Sequence, residues 1–144
     1  MYLRDIFSFI VLSGLITVSA AADAKFSINT STIRVIDAGT ISANQKVFKL
    51  QGIIAPSAKQ KCKIRALPWL CGAAARSFLV DIFEENNVKC QNTRESYVKC
   101  FLNKVDISLL LVKAGWAISH STKTDFVRAE KEARENNLGI WSKK

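Results

Sequence analysis

The amino-acid sequence predicts an α+β fold, in which a five-stranded OB-type β-barrel is accompanied by about three α-helices. In the first half of the chain, apolar and polar residues alternate between turn signals, which is typical of short strands. In the second half, apolar residues recur at helical spacing on both sides of a hairpin pattern. The predicted order is therefore a strand meander, a helix, the hairpin, a helix, a short strand or extended connector, and a last helix.

The meander runs from Ile33 to Ser57, and turn residues at Asp37–Gly39 and Asn44–Gln45 separate its strands. Residues 25–29 before it are either a first strand or a tether. Its apolar positions are Ile33, Val35, Ile41, Val47 and Leu50. The meander and the hairpin together supply the five strands that an OB-type barrel needs.

The remaining elements follow from periodicity and from helix-end signals. Residues 58–68 show no clear period and are predicted to form a loop over the barrel mouth. The hairpin pairs Val88–Gln91 with Tyr97–Leu102 around a loop at Asn92–Ser96. The predicted helices are Leu70–Glu84, Asp106–Ala114 with Asp106 as N-cap and Gly115 as stop, and Asp125–Asn136.

Length and charge limit the class of protein. The chain has 144 residues, 49% of them hydrophobic, and a net charge of +9, which fits one basic globular domain. Such a surface favours nucleic acid, anionic lipid or acidic polymers, or it is simply a solvated basic surface. No Asp or Glu lies between Asp37 and Asp81. That stretch contains the cations Lys46, Lys49, Lys59, Lys61, Lys63, Arg65 and Arg76.

The first 24 residues have the layout of a secretory signal peptide, so residues 25–144 are the predicted mature domain. Arg4 precedes an apolar run from Ile6 to Val18, and small residues follow at Ser19–Ala24. The alternative is an uncleaved membrane anchor, although the run is shorter than the roughly 20 residues that a membrane span needs. The prediction is an exported protein, periplasmic or extracellular, with no stable membrane insertion after cleavage.

The cysteines Cys62, Cys71, Cys90 and Cys100 all follow the predicted signal. An even number of cysteines in a small exported domain indicates two disulfides. Four cysteines allow three pairings; proximity favours Cys62–Cys71 with Cys90–Cys100, but the sequence alone does not choose. Zinc ligation is the alternative, and the missing Cys-x-x-Cys spacing disfavours it.

A series of short motifs in a fixed order resembles the thermonuclease (staphylococcal-nuclease-like) family from Ile33 to Trp141. The motifs are Val35-Ile36-Asp37-x-x-Thr40, Gly52-Ile53-x-Ala55-Pro56, Gln60-x-Cys62, Cys71-Gly72-x-Ala74, Tyr97-x-Lys99-Cys100, Gly115-Trp116-Ala117, Glu130-x-x-Ala133-Arg134 and Leu138-Gly139-Ile140-Trp141. The resemblance implies an OB-type barrel, Ca²⁺-dependent hydrolysis of phosphodiesters, and the pairing Cys62–Cys71 with Cys90–Cys100.

The residues that this resemblance assigns to the active site differ from the family's pattern. The first aspartate is kept as Asp37, whereas Gly39 and Ile54 occupy the metal-binding positions. Ser57 stands where the family has its catalytic carboxylate. Lys49 and Lys99 occupy the two arginine positions. Lysine keeps the charge but loses the bidentate geometry, and isoleucine supplies no oxygen to a metal.

The sequence therefore favours a member of the family that is not an enzyme: an exported module that binds nucleic acid or another polyanion weakly and without specificity. It is expected to need no cofactor, because the family's Ca²⁺ site is lost. The candidate anion-binding residues are Lys49, Lys99, Tyr97, Lys59, Lys61 and Lys63.

Two alternatives remain open. One is an active nuclease with a rebuilt site that uses Asp37 with Glu95 or Asp106. The other is a structural domain that contacts a protein of the cell envelope. The only histidine, His120, is expected at the surface or at a strand end, and Trp69, Trp116 and Trp141 are expected to pack in the core or at its edge.

Overall fold

A computed structural model describes residues 27–28, 32–84 and 88–143, so the predicted signal peptide at residues 1–24 lies outside the described residues. The helices are α1 (Cys71–Glu84), α2 (Ile107–Lys113) and α3 (Thr124–Glu135), followed by a 3₁₀ helix at Gly139–Trp141. The strands are β1 (Ser27–Ile28), β2 (Arg34–Asp37), β3 (Thr40–Ala43), β4 (Lys46–Leu50), β5 (Ile53–Ile54), β6 (Cys62–Ile64), β7 (Leu67–Trp69), β8 (Val88–Arg94), β9 (Tyr97–Leu102), β10 (Val105–Asp106) and β11 (Ile118–Ser119).

The main sheet joins the predicted meander to the predicted hairpin. Strands β2, β3 and β4 pair antiparallel, β4 pairs parallel with β9, and β9 pairs antiparallel with both β8 and β10. Short β1 extends the sheet beyond β8, which shows that residues 27–28 form a strand rather than a tether. A second, two-stranded sheet pairs β5 with β11.

The core lies between the inner face of this sheet and the helices. Ile41, Leu50 and Val98 point inward from β3, β4 and β9 and are at most 1% exposed. They are covered by apolar residues of the helices, including Leu79 of α1 and Leu111 of α2. The three predicted helices are thus confirmed, with ends that differ from the prediction by at most one residue.

The predicted closed five-stranded barrel is not observed. The main sheet has seven strands, and its ladder is open between β2 and β1 in the described part of the chain. Helix α1 packs against β2, and Arg76 of α1 donates two hydrogen bonds, from Nε at 3.2 Å and Nη2 at 3.0 Å, to the backbone oxygen of Val35. This guanidinium occupies an acceptor on the edge of β2 that a closing strand would otherwise use.

The loop predicted for residues 58–68 is also wrong in part, because β6 and β7 form a hairpin there. Its turn residues, Arg65 and Ala66, have φ values of 49° and 70°. Glycine and asparagine are the usual residues in that left-handed region, so this turn has no sequence signature. A smaller difference concerns the β8–β9 hairpin, whose strands extend to Arg94 and from Tyr97, leaving a shorter turn than predicted.

Both predicted disulfides form. Cys62–Cys71 joins β6 to the first residue of α1, and Cys90–Cys100 joins directly opposed residues of β8 and β9. The second pair is buried in the core. None of the helices in the described ranges is long and apolar enough to cross a bilayer.

The C-terminal motifs serve packing. Glu130 of α3 accepts a hydrogen bond from the Ser119 backbone N–H at 2.7 Å and another from Arg134 Nε at 2.9 Å. The Arg134 guanidinium in turn lies 3.9 Å from the ring centre of Trp141. Glu130 therefore connects β11 to α3. Arg134 stacks on the Trp141 ring in a cation–π interaction.

Candidate nucleic-acid interface

The turn between β2 and β3 lies beside the segment that follows β5. Asp37 Oδ1 accepts a hydrogen bond from the Gly39 N–H at 2.9 Å, which closes the turn. A Cβ atom placed on Gly39 would lie 3.1 Å from Ala55 Cβ. The two segments to which the resemblance assigns the metal site are therefore in contact.

The side chains at these positions do not fit a calcium ion. Calcium takes six to eight oxygen ligands, with carboxylates supplying most of the charge. Asp37 provides one carboxylate, Gly39 provides none, and Ile54 is a 55% exposed hydrocarbon. Ser57 adds only an exposed hydroxyl. In the ranges 27–28, 32–84 and 88–143, no three His, Cys, Asp or Glu residues lie close enough together to hold a metal ion.

The basic positions of the site lie on the outer face of the parallel pair β4–β9. Lys49 is the register partner of Tyr97, and Leu50 is the partner of Val98. Because side chains alternate along a strand, the burial of Leu50 and Val98 directs Lys49, Tyr97 and Lys99 away from the core. Two predicted anion-binding lysines and the predicted aromatic residue therefore share one surface.

A cleft of about 440 Å³ opens beside this surface, where β9, the end of β4 and the start of α3 meet. Tyr97 and Lys99 line it, together with the cations Arg94 and Lys123. No carboxylate of the described residues lies within ion-pair distance of these three cations. The cleft thus combines positive charge with an aromatic ring.

Asp106 is the only acidic residue among those that line the cleft in the described chain. It is the N-cap of α2, and its Oδ1 accepts a hydrogen bond from the Ser108 N–H at 2.9 Å. Burial raises the pKa of Asp106 above its usual value of 3.8, although the backbone N–H of Ser108 and the positive charge of Lys99 act in the opposite direction. Its negative charge is therefore disfavoured by the fold.

Several predicted anion-binding residues lie elsewhere. Lys59, Lys61 and Lys63 do not line the cleft; they are exposed on the β6–β7 hairpin and the segment before it. Lys49 shares the surface with Tyr97 but does not line the cleft itself. The predicted set is therefore divided between two surfaces of the molecule.

The sequence did not identify six polar residues of the cleft wall as site residues: Gln51, Arg94, His120, Ser121, Thr122 and Lys123. His120 is exposed and directly follows β11, which agrees with the predicted strand-end position. Its backbone N–H donates to the Gly52 oxygen at 2.9 Å. Gln51 Oε1 is buried and has no hydrogen-bond partner within the described residues. The predicted β8–β9 hairpin places Arg94 opposite Tyr97. The β4–β9 and β5–β11 pairings bring Gln51 and His120 to the same cleft, and no local pattern encodes those two pairings.

Comparison with known proteins adds one finding. No curated protein matches the chain. A family model described as staphylococcal nuclease homologue matches residues 47–143. The matched segment covers more than half of the chain and contains every residue that lines the cleft. Together with the α+β architecture and its three helices, this match shows that the chain belongs to the family of staphylococcal nuclease homologues.

Proposed function

We propose that this domain binds nucleic acid or a similar polyanion weakly and without sequence preference, and that it has lost Ca²⁺-dependent phosphodiester hydrolysis. One observation supports both parts. Cationic and aromatic side chains meet at the cleft, whereas the positions expected to hold a metal and a general base have no carboxylate beyond Asp37.

The binding part follows from the chemistry of the cleft. Arg94, Lys99 and Lys123 attract phosphate groups, and each contact releases counterions from the nucleic acid. Tyr97 offers a ring face on which a base of a single strand can stack. A lysine at position 99 is a point charge without the planar fork of arginine, which favours loose binding over bidentate positioning of one phosphate.

The proposed loss of hydrolysis follows from the chemistry that a general base would have to supply. A general base must be titratable and within reach of the attacking water. A serine without an activating partner does not act as a base near neutral pH. The hydrogen bond recorded for Ser57 in the described structure is through its backbone oxygen, which accepts from the Gln60 N–H at 2.9 Å. The positions that the family uses for its metal ligands and its general base therefore supply no carboxylate other than Asp37.

The proposed location is outside the cytoplasm, in the periplasm or the extracellular medium, after cleavage of the leader. The two disulfides support this location, because such bonds persist in oxidising compartments.

A second candidate function is hydrolysis by a rebuilt site. Asp106, which has a raised pKa, and His120 line the same cleft as Lys99, so an acid, a base and a cation are near one another. The Asp106 carboxylate already caps α2 through its hydrogen bond with the Ser108 N–H. Its place in the cleft is therefore explained without catalysis, and this candidate is the weaker one.

The test measures binding and cleavage in the same samples. Oxidised protein is incubated with labelled single-stranded DNA and RNA, with and without Ca²⁺, across a range of salt concentrations. We expect retention without cleavage, an affinity that falls steeply with salt, and no effect of Ca²⁺ beyond screening.

The matched variants are Arg94→Gln/Lys99→Gln in the cleft and Lys113→Gln/Arg128→Gln on exposed helix positions. The cleft pair should weaken binding and lower the salt slope by about one unit per lost phosphate contact, while the control pair changes either little. Calcium-dependent cleavage abolished by Asp37→Ala would overturn the proposal. Metal-independent cleavage abolished by Asp106→Asn would instead establish the rebuilt site.

A further inference from the structure

We propose that residues 59–70, named here the basic hairpin, form a docking surface for an anionic lipid bilayer. The basic hairpin consists of β6, β7 and the residues on either side of them. None of its residues lines the cleft, so this inference goes beyond the proposed function and does not rest on it.

The charge of the basic hairpin is entirely positive. Its cations are Lys59, Lys61, Lys63 and Arg65, and all are exposed. No Asp or Glu occurs between Asp37 and Asp81, and no carboxylate within the described residues lies within ion-pair distance of these cations. These cations are therefore available to phosphate groups. Each lysine or arginine near an anionic membrane surface interacts with it favourably.

The same hairpin exposes large apolar side chains. Leu67 is 72% exposed and Leu70 is 53% exposed, which are among the highest values for large apolar residues in the described structure. The exposed Pro68 is the register partner of Lys63, and Leu67 is the partner of Ile64. Lys63 and Pro68 therefore share one face of the hairpin, whereas Leu67 lies on the opposite face, beside the Arg65–Ala66 turn. Cationic and apolar groups are thus exposed together around the end of one small hairpin.

This combination favours a bilayer over a nucleic acid. Lysine and arginine can pair with lipid phosphates while leucine side chains enter the boundary between headgroups and acyl chains. The phosphates of a nucleic-acid backbone would pair with the cations, but Leu67 and Leu70 would remain exposed to water. The apolar residues therefore decide which anionic partner the surface fits.

The base of the hairpin is held to the body of the protein. The Cys62–Cys71 disulfide anchors β6 to α1, and the ring centre of Trp69 lies 6.3 Å from that of Trp116. At the opposite end, the left-handed turn places the Arg65 side chain at the tip, at a conformational cost for a residue other than glycine. The docking groups are therefore presented on a tethered element, so that binding orders few residues.

The test uses the purified, oxidised protein with vesicles of phosphatidylcholine alone or of phosphatidylcholine mixed with phosphatidylglycerol. Vesicle sedimentation measures affinity, and mass spectrometry measures how strongly the vesicles protect each lysine from acetylation. Protection reports on the hairpin itself, so retention through another part of the chain would not imitate it. We expect Lys61 and Lys63 to be protected by the anionic vesicles only, and Lys113 to stay reactive.

Two pairs of variants separate charge from apolar contact. Lys61→Gln/Lys63→Gln should weaken binding by about fivefold per lysine, whereas the equally charged Lys113→Gln/Arg128→Gln should change it less than about twofold. Leu67→Ser should weaken binding by about fivefold, and Val127→Ser, at a 55% exposed position on α3, should not.

Two results would overturn the proposal. One is unchanged reactivity of Lys61 and Lys63 in the presence of anionic vesicles. The other is an affinity that Leu67→Ser leaves intact while single-stranded nucleic acid protects the same lysines, which would identify the hairpin as a nucleic-acid clamp. Neither result depends on the cleft variants, so the two proposals can fail separately.

Discussion

Asp106 shows how one residue can serve the fold and the candidate site at once. Its side chain caps α2 by accepting the Ser108 N–H, and the same carboxyl group faces a cleft with Lys99 and Lys123. Burial nevertheless raises its pKa, so the folded protein holds the proton more readily than the unfolded chain. The ionised form therefore lowers stability at neutral pH, and this loss disappears as the pH falls through the raised pKa towards 3.8.

We expect Asp106→Asn to increase the free energy of unfolding at neutral pH, because asparagine keeps the cap without a charge to bury. The advantage over the unmodified protein should shrink to nothing below pH 3.8. Urea unfolding at both pH values measures this. As a control, Asp106→Ala removes the cap and should cost about 1 kcal/mol. A less stable asparagine variant at neutral pH would mean that Lys99 and Lys123 outweigh the burial.

The two disulfides differ in burial and in the elements that they join. They close loops of similar length, with sequence separations of 9 and 10 residues, so the loss of chain entropy is worth about 2–3 kcal/mol for either. Cys90 and Cys100 are buried between β8 and β9, whereas Cys62–Cys71 fastens an exposed hairpin to α1. Removal of either disulfide should therefore cost a similar chain entropy but affect a different part of the structure.

We expect Cys90→Ala/Cys100→Ala to lower the free energy of unfolding more than Cys62→Ala/Cys71→Ala, since it also removes more of the packing between strands. The second variant should instead speed amide hydrogen exchange in β6 and β7 while β8 and β9 stay protected. Denaturant unfolding and hydrogen exchange test the two statements. Equal exchange rates in β6–β7 for both variants would contradict this division.

The proposed loss of the Ca²⁺ site can be tested by introducing the acidic residues that the family resemblance implies. Gly39→Asp, Ile54→Asp and Ser57→Glu would add three carboxylates beside Asp37. Ile54 and Ser57 are exposed, and Ala55 need move only a few tenths of an ångström to accept a side chain at position 39. We expect the triple variant to gain a Ca²⁺-dependent rise in melting temperature that the unmodified protein lacks.

Calorimetric titration with Ca²⁺ gives a second measurement that does not require hydrolysis. The matched control is Gly39→Asn, Ile54→Asn and Ser57→Gln, which has similar side-chain volumes without the charges. Tight Ca²⁺ binding by the unmodified protein would contradict our account of the site.

Local sequence patterns determined a large part of this protein. Apolar spacing predicted the three helices, Asp106 and Gly115 marked the ends of α2, and the meander turned where Asp37–Gly39 and Asn44–Gln45 indicated. The substitutions that the family resemblance implies at the site positions are likewise a prediction from the sequence alone. These features depend on neighbouring residues, so a short window of sequence contains the information.

The assembly of the cleft depends on pairings between strands that are distant in the sequence. The parallel pairing of β4 with β9 sets Lys49 opposite Tyr97, and the pairing of β5 with β11 brings His120 to the cleft. The sheet stays open where Arg76 occupies the Val35 carbonyl. These contacts join residues far apart in the chain, and their register is set by which side chains the shared core buries rather than by any local pattern.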